Sequence, residues 1–172
     1  MQIQENLTFE KVWAMFQETR EQMKETDRRI GELSNRFGEL AEHLVVPNIK
    51  EKFSNAGLKF EDISSNREII GPEGRFLAEI DILLENRDLV IAIEVKAKPK
   101  NSDVDDHIKR MEILRNRANE RNDKRKYFGA VAGAIMNQNM RDYILENGFY
   151  LIEQTGDTVK LTIPEGFTPK EW

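Results

Sequence analysis

Residues 78–98, AEIDILLENRDLVIAIEVKAK, decide the fold of this chain. Both halves alternate with period two, and Glu85, Asn86, Arg87 and Asp88 between them carry turn chemistry, so the stretch reads as a β-hairpin. A loop of two residues, or of four centred on Asn86 and Arg87, sets Asp81 opposite Ala92 and Glu94 opposite Glu79. One face then carries Ala78, Ile80, Ile82, Leu84, Leu89, Ile91, Ile93 and Val95 and is expected to be core. The other carries Glu79, Asp81, Leu83, Val90, Ala92, Glu94 and Lys96.

On that second face Asp81 and Glu94 become diagonal cross-strand neighbours, within roughly 5–8 Å. Two carboxylates that close repel unless a cation lies between them. A divalent metal would supply one, with Lys96 at the edge of the same site. The plainer alternative is a solvated face where Glu79, Glu94 and Lys96 form weak ion pairs, worth at most about 1 kcal/mol each.

The 172 residues suffice for one domain of ordinary size plus an appendage. With no cysteine, disulfides, thiolate zinc sites and cysteine nucleophiles are excluded, and with only two histidines, His43 and His107, a histidine-built zinc site is disfavoured. No apolar run approaches the ~18 residues of a membrane span, and the N-terminus lacks a signal-peptide pattern, so a cytoplasmic location without membrane attachment is expected. Neither GxGxxG nor GxxxxGK[ST] occurs, which leaves nucleotide-cradle readings without support. The net charge is −5, yet residues 96–126 alone carry eleven Lys and Arg against six Asp and Glu. That segment is either a nucleic-acid-facing patch or simply a solvated charged helix.

Ahead of the hairpin, Phe9, Val12, Phe16, Thr19, Met23, Thr26, Ile30, Leu33, Phe37, Leu40 and Leu44 recur at alternating steps of three and four. The pattern predicts a coiled-coil helix, with a homodimer as the simplest partner arrangement. The alternative is a long amphipathic helix folded back on its own domain. A second stripe, Gly38, Glu42, Val45, Val46, Ile49, Phe53 and Ala56, occupies the opposite side of a helix continuing to about Ala56. Pro47 is expected to kink that helix or to start a new one. Glu42 therefore sits on a domain-facing stripe, where a carboxylate needs a partner, while Glu39 looks more solvated.

Past Gly57, one or two strands are expected within residues 59–70, then a turn at residues 71–74 and the hairpin. A helix follows over residues 102–121, with the stripe Val104, Ile108, Met111, Leu114 and Ala118 and a flank of Arg110, Arg117 and Arg121. Residues 127–136 read as a central strand buried on both faces, residues 139–147 as a helix, and residues 149–153 and 159–163 as strands. The tail from residue 164 reads as irregular.

This order of elements, with an acid on the first helix, Asp81 on one strand and Glu94-Val95-Lys96 on the next, resembles the PD-(D/E)XK nuclease superfamily, also called restriction-endonuclease-like. The resemblance covers about residues 36–154. It is strongest to a prokaryotic group in which a coiled coil leads into a helix reading like Arg36-Phe37-Gly38-Glu39-Leu40-Ala41-Glu42. It implies an α/β fold with an αβββαβ core around a mixed sheet, and a coiled-coil helix over residues 1–35 preceding a nuclease-like domain over residues 36–172. It also implies Mg²⁺-dependent (or Mn²⁺-dependent) hydrolysis of DNA phosphodiesters. Asp81, Glu94 and Glu42 would serve as catalytic and metal-binding acids, with Glu39 as an alternative to Glu42, and Lys96 as the catalytic lysine. The proline usual before the first acid is Ile80 here. Lys98, Arg110, Arg117 and Arg121 are the expected nucleic-acid contacts. The competing function is a non-catalytic dimeric nucleic-acid-binding or scaffold protein on the same fold.

Overall fold

A computed structural model describes residues 9–156 and 158–172, and the side chains along the first helix except at positions 9, 10, 12, 27 and 30–44. The chain divides into two compact units, the first ending at Phe37 and the second comprising Gly38–Trp172. Helix α1 (Phe9–Asn55) supplies residues to both, and Pro47 lies inside it rather than at its start. Within the first unit, Phe16 and Met23 are largely exposed. The hydroxyls of Thr19 and Thr26 donate to the carbonyls of Met15 and Gln22, both at 2.8 Å, which satisfies two hydroxyls otherwise out of place in an apolar stripe. The remaining apolar seam positions, together with Glu39 and Glu42, lie outside the described side chains.

The second unit is built on one six-stranded mixed sheet whose strands lie in chain order. They are β1 (Asp62–Ile70), β2 (Phe76–Glu85), β3 (Leu89–Lys96), β4 (Lys126–Gly133), β5 (Tyr150–Thr155) and β6 (Thr158–Thr162). Pairing is antiparallel from β1 to β3, parallel from β3 to β5 and antiparallel at β6. The two parallel connections contain helices α2 (Asn101–Glu120) and α3 (Gln138–Glu146), as parallel strands require. No helix among the described residues is long and apolar enough to cross a membrane.

Both faces of the sheet are covered. Val45, Ile49 and Phe53 of α1 pack on one face with Ile82, Leu84, Ile91, Ile93 and Val95. On the other, Val104, Met111, Leu114 and Ala118 of α2 pack with Leu83, Val90 and Ala92. The expected division of the hairpin into a core face and a polar face is thus corrected: Leu83, Val90 and Ala92 are a second core. Ala78 and Ile80 belong to this second cluster too, instead of joining Ile82 and Leu84. The stripe on α1 holds at Val45, Ile49 and Phe53, while Ala56 falls beyond the helix and is exposed.

The hairpin register also differs from expectation by two residues. Observed pairs are Ile82 with Ile93, Leu83 with Ala92, Leu84 with Ile91 and Glu85 with Val90. The cause is Asn86, whose Oδ1 accepts from the amides of both Asp88 and Leu89 at 2.8 Å while its own amide donates to the Leu89 carbonyl at 3.0 Å. This side-chain-closed turn moves Leu89 out of the ladder with β2, although it still pairs with Lys126 of β4. A shift of two, unlike a shift of one, leaves the side chains from Ile82 onward on their original faces.

β1 is one continuous strand in spite of its polar middle, where Asn66 adopts a left-handed φ of 51°. The tail is not free. Trp172 stacks on Phe149 at 5.0 Å, and its amide donates to the Tyr127 carbonyl. Gly129 in β4 makes room for that stack, since a Cβ there would stand 2.4 Å from the Phe149 ring.

Candidate active site

Glu94 lies near the end of β3 on the α2 side and is 1% exposed. A carboxylate that buried must be neutralised or compensated. Compensation comes from two directions. Arg110, midway along α2, donates from Nη1 to Oε2 in a short hydrogen bond, and the Lys96 ammonium stands 2.9 Å from Oε1. The lysine contact is an ion pair without hydrogen-bond alignment, so Oε1 is a buried acceptor lacking a well-directed donor.

His107, one turn before Arg110 on α2, is fully buried and closes the other side. Its Nε2 is 3.1 Å from the Ala92 carbonyl, which can only accept, so Nε2 carries the proton. Nδ1 therefore presents a lone pair, without a partner, 3.9 Å from Glu94 Oε2. Phe149 stacks on the imidazole at 5.0 Å and fixes its plane. Burial lowers the His107 pKa to about 4, so the ring is neutral at pH 7. Burial alone would raise the Glu94 carboxyl, but the surrounding positive charge outweighs it and holds the group below its ordinary value. With His107 neutral, Lys96 and Arg110 provide that charge near neutral pH. For both of these, burial works against the charged form, and the Glu94 and Asp81 carboxylates reverse it and raise their pKa values.

Asp81 sits where β2 parts from β3. Ladder pairing ends at Ile82 with Ile93, and Asp81 Oδ2 accepts from the Val95 amide at 2.7 Å, taking over a backbone bond beyond the last paired residues. Extended by one step, the observed register sets Asp81 level with Glu94 instead of diagonal to it. At the start of α2, Asp103 accepts from the Lys100 amide at 2.7 Å and adds further negative charge near Lys96.

Asp81, Glu94, Lys96 and Arg110 therefore converge. Arg117 and Arg121 do not join them; they lie about 10 and 16 Å farther along the α2 axis, at ~1.5 Å per residue. Arg117 pairs with Glu120, whereas Arg121 and Lys98 are exposed. Glu42 lies outside the described side chains. The sequence brings His107 forward only in weighing a zinc site, although it falls on the α2 stripe three residues after Val104 and four before Met111, where a polar residue is itself a signal. Arg110, expected to contact phosphate, instead reaches Glu94, and nothing in its sequence position discloses this.

Among the described residues no group of three or more His, Asp or Glu side chains could hold a metal ion. Asp81 and Glu94 remain a pair of hard oxygen donors, the kind Mg²⁺ accepts when substrate oxygens and waters complete its shell. Oε1 of Glu94 already faces the Lys96 ammonium at 2.9 Å, so a metal ion would share or displace that contact.

No family model matches the chain, and no curated protein matches it. One solved structure, the small subunit (R.BspD6I2) of the heterodimeric restriction endonuclease R.BspD6I, is similar at a TM-score of 0.34 and 15% identity, over 70% of this chain and 72% of that one. A score that low decides nothing about chemistry.

Proposed function

We propose that this protein is a divalent-metal-dependent nuclease of the restriction-endonuclease-like kind, hydrolysing DNA phosphodiester bonds with Mg²⁺ or Mn²⁺. The observation that carries this reading is the meeting of Asp81 with Glu94 and Lys96 at the point where two central strands separate, with Lys96 2.9 Å from a buried carboxylate oxygen.

A bound ion would polarise the scissile phosphate and acidify a water. Asp81 and Glu94 would hold it, with Glu42 as the further acid. Lys96 keeps its proton firmly, as its raised pKa requires, and so acts by positioning the attacking water or offsetting charge on the phosphate, not as a general base. Arg110 is held against Glu94 and can turn toward a phosphate only when another cation takes its place. Lys98, Arg117 and Arg121 would contact the strand backbone, which makes binding strongly salt-dependent. Two chains joined through the α1 seam would carry two such sites, suited to both strands of a duplex.

The test is nicking of supercoiled plasmid with Mg²⁺ or Mn²⁺ by the wild type and by Asp81→Asn, Glu94→Gln and Lys96→Ala. Cleavage by the wild type alone is expected; equal cleavage by all four would place the chemistry elsewhere.

The Arg110–Glu94 ion pair favours a second reading, in which the fold persists as a non-catalytic nucleic-acid-binding or scaffold protein and two basic side chains replace the metal. Absence of any metal response by the wild type would put this reading first.

A further inference from the structure

At the far end of α2 from the paired acids, between that helix and β1–β4, lies a groove of about 330 Å³. That volume falls at the small end of ligand sites. Its floor is aliphatic, formed by Leu83 and Val90 of the sheet and Leu114 and Ala118 of α2, and its rim carries Arg67, Arg117 and Arg121.

The acidic side chains do not cancel these charges equally. Asp123 is held by Arg125 through two nitrogens, at 2.6 and 2.9 Å, and by the Tyr127 hydroxyl at 2.9 Å. Arg125 also takes Glu85 at 3.1 Å. That cluster is engaged internally and keeps one net negative charge, two carboxylates against one guanidinium. Glu68 also lines the groove, but it makes no ion pair with Arg67 or Arg121 among the described residues. Arg67 and Arg121 are exposed and make no ion pair among the described residues. Arg117 pairs with Glu120 through Nη1, leaving a buried Nε without a partner. An aliphatic floor below unspent guanidinium groups complements a ligand with an apolar planar part and an anionic part.

We propose that this groove binds one nucleotide of a single strand, its phosphate against Arg67 and Arg121 and its base on the aliphatic floor. The choice of a nucleotide rests on the nuclease reading above; the groove and its charge do not. The rim arginines of α2 stand about 10–16 Å from Arg110, some three to five nucleotides at the ~3.4 Å rise of a B-form strand. The groove would therefore anchor a strand at a distance from the bond cut.

The test is calorimetric titration of the full chain with the 5′-phosphorylated trinucleotide pTpTpT and, separately, with inorganic phosphate, in EDTA so that no divalent ion contributes. Wild type and Asp81→Asn should bind the trinucleotide alike, Arg67→Gln/Arg121→Gln at least tenfold more weakly, and phosphate at least tenfold more weakly than the trinucleotide. Equal affinity in wild type and the double variant overturns the proposal, as does absence of binding at millimolar trinucleotide. Phosphate binding as tight as the trinucleotide overturns it too, because the floor then contributes nothing. Plasmid cleavage, measured in parallel with Mg²⁺, separates the two ideas. Trinucleotide bound by the arginines without any cleavage by wild type keeps the groove and removes the nuclease; cleavage without that binding does the reverse.

Discussion

Arg110 Nη1 donates to Oε2 of Glu94, joining the middle of α2 to the end of β3. Removing one partner of such a buried pair strands the other. Arg110→Gln should lower unfolding stability by about 1–3 kcal/mol, less than a complete loss because Lys96 still faces the carboxylate. Glu94→Gln should also destabilise, since two cations lose their counter-charge. Denaturant titration at pH 7 measures both, and a gain in stability for Glu94→Gln would show that carboxylate repulsion, not cation pairing, governs the site.

Arg110 and a metal ion compete for the same oxygen. Mg²⁺ or Mn²⁺ should raise the melting temperature of the wild type by binding only the folded state, and Asp81→Asn should abolish the increment. The increment should be larger in Arg110→Gln at equal ion concentration. Thermal unfolding over a millimolar ion series reads all three.

Acid should destabilise the fold through His107. An unfolded chain protonates this ring near pH 6.5, whereas the folded one resists until about 4, so between those values the unfolded state binds more protons. Stability is therefore complete above about pH 6.5 and falls on acidification, by about 3 kcal/mol once pH 4 is reached. Glu94, held below its ordinary 4.5, adds loss in the same direction at still lower pH. Urea unfolding at pH 7 and pH 5 should differ clearly in wild type, and the difference should shrink in His107→Gln. An equal difference in both proteins would assign the slope to other groups.

Gly129 supports the site at second hand. Its missing side chain admits Phe149, which stacks on His107, which borders Glu94. Gly129→Ala should cost about 1–3 kcal/mol by overpacking. The near-ultraviolet circular dichroism of the Phe149–Trp172 stack should weaken with it, and an unchanged spectrum would mean that β4 yields without moving Phe149.

Phe16 and Met23 expose apolar surface on one side of α1. If the α1 seam joins two chains, Phe16→Glu/Met23→Glu should halve the mass seen by light scattering while the unit Gly38–Trp172 stays folded. Identical masses for both proteins would leave the seam without a partner.

The sequence by itself determined the elements and their order. Period-two alternation in β2 and β3, the small apolar run of β4 and the stripe on α2 are local patterns, and each follows from which side chains must leave water. It also brought out Asp81, Glu94 and Lys96, because alternation alone sets their faces. The register was less legible, since whether Leu89 pairs depends on the Asn86 side chain closing the turn, a choice between loops of equal parity. Only the tertiary structure decided that Glu94 is buried beneath α2, that Arg110 turns inward while Arg121 stays outside, and that His107 stands beside Glu94. Those relations join residues on separate elements, and no periodicity within a helix or a strand records which neighbour will cover it.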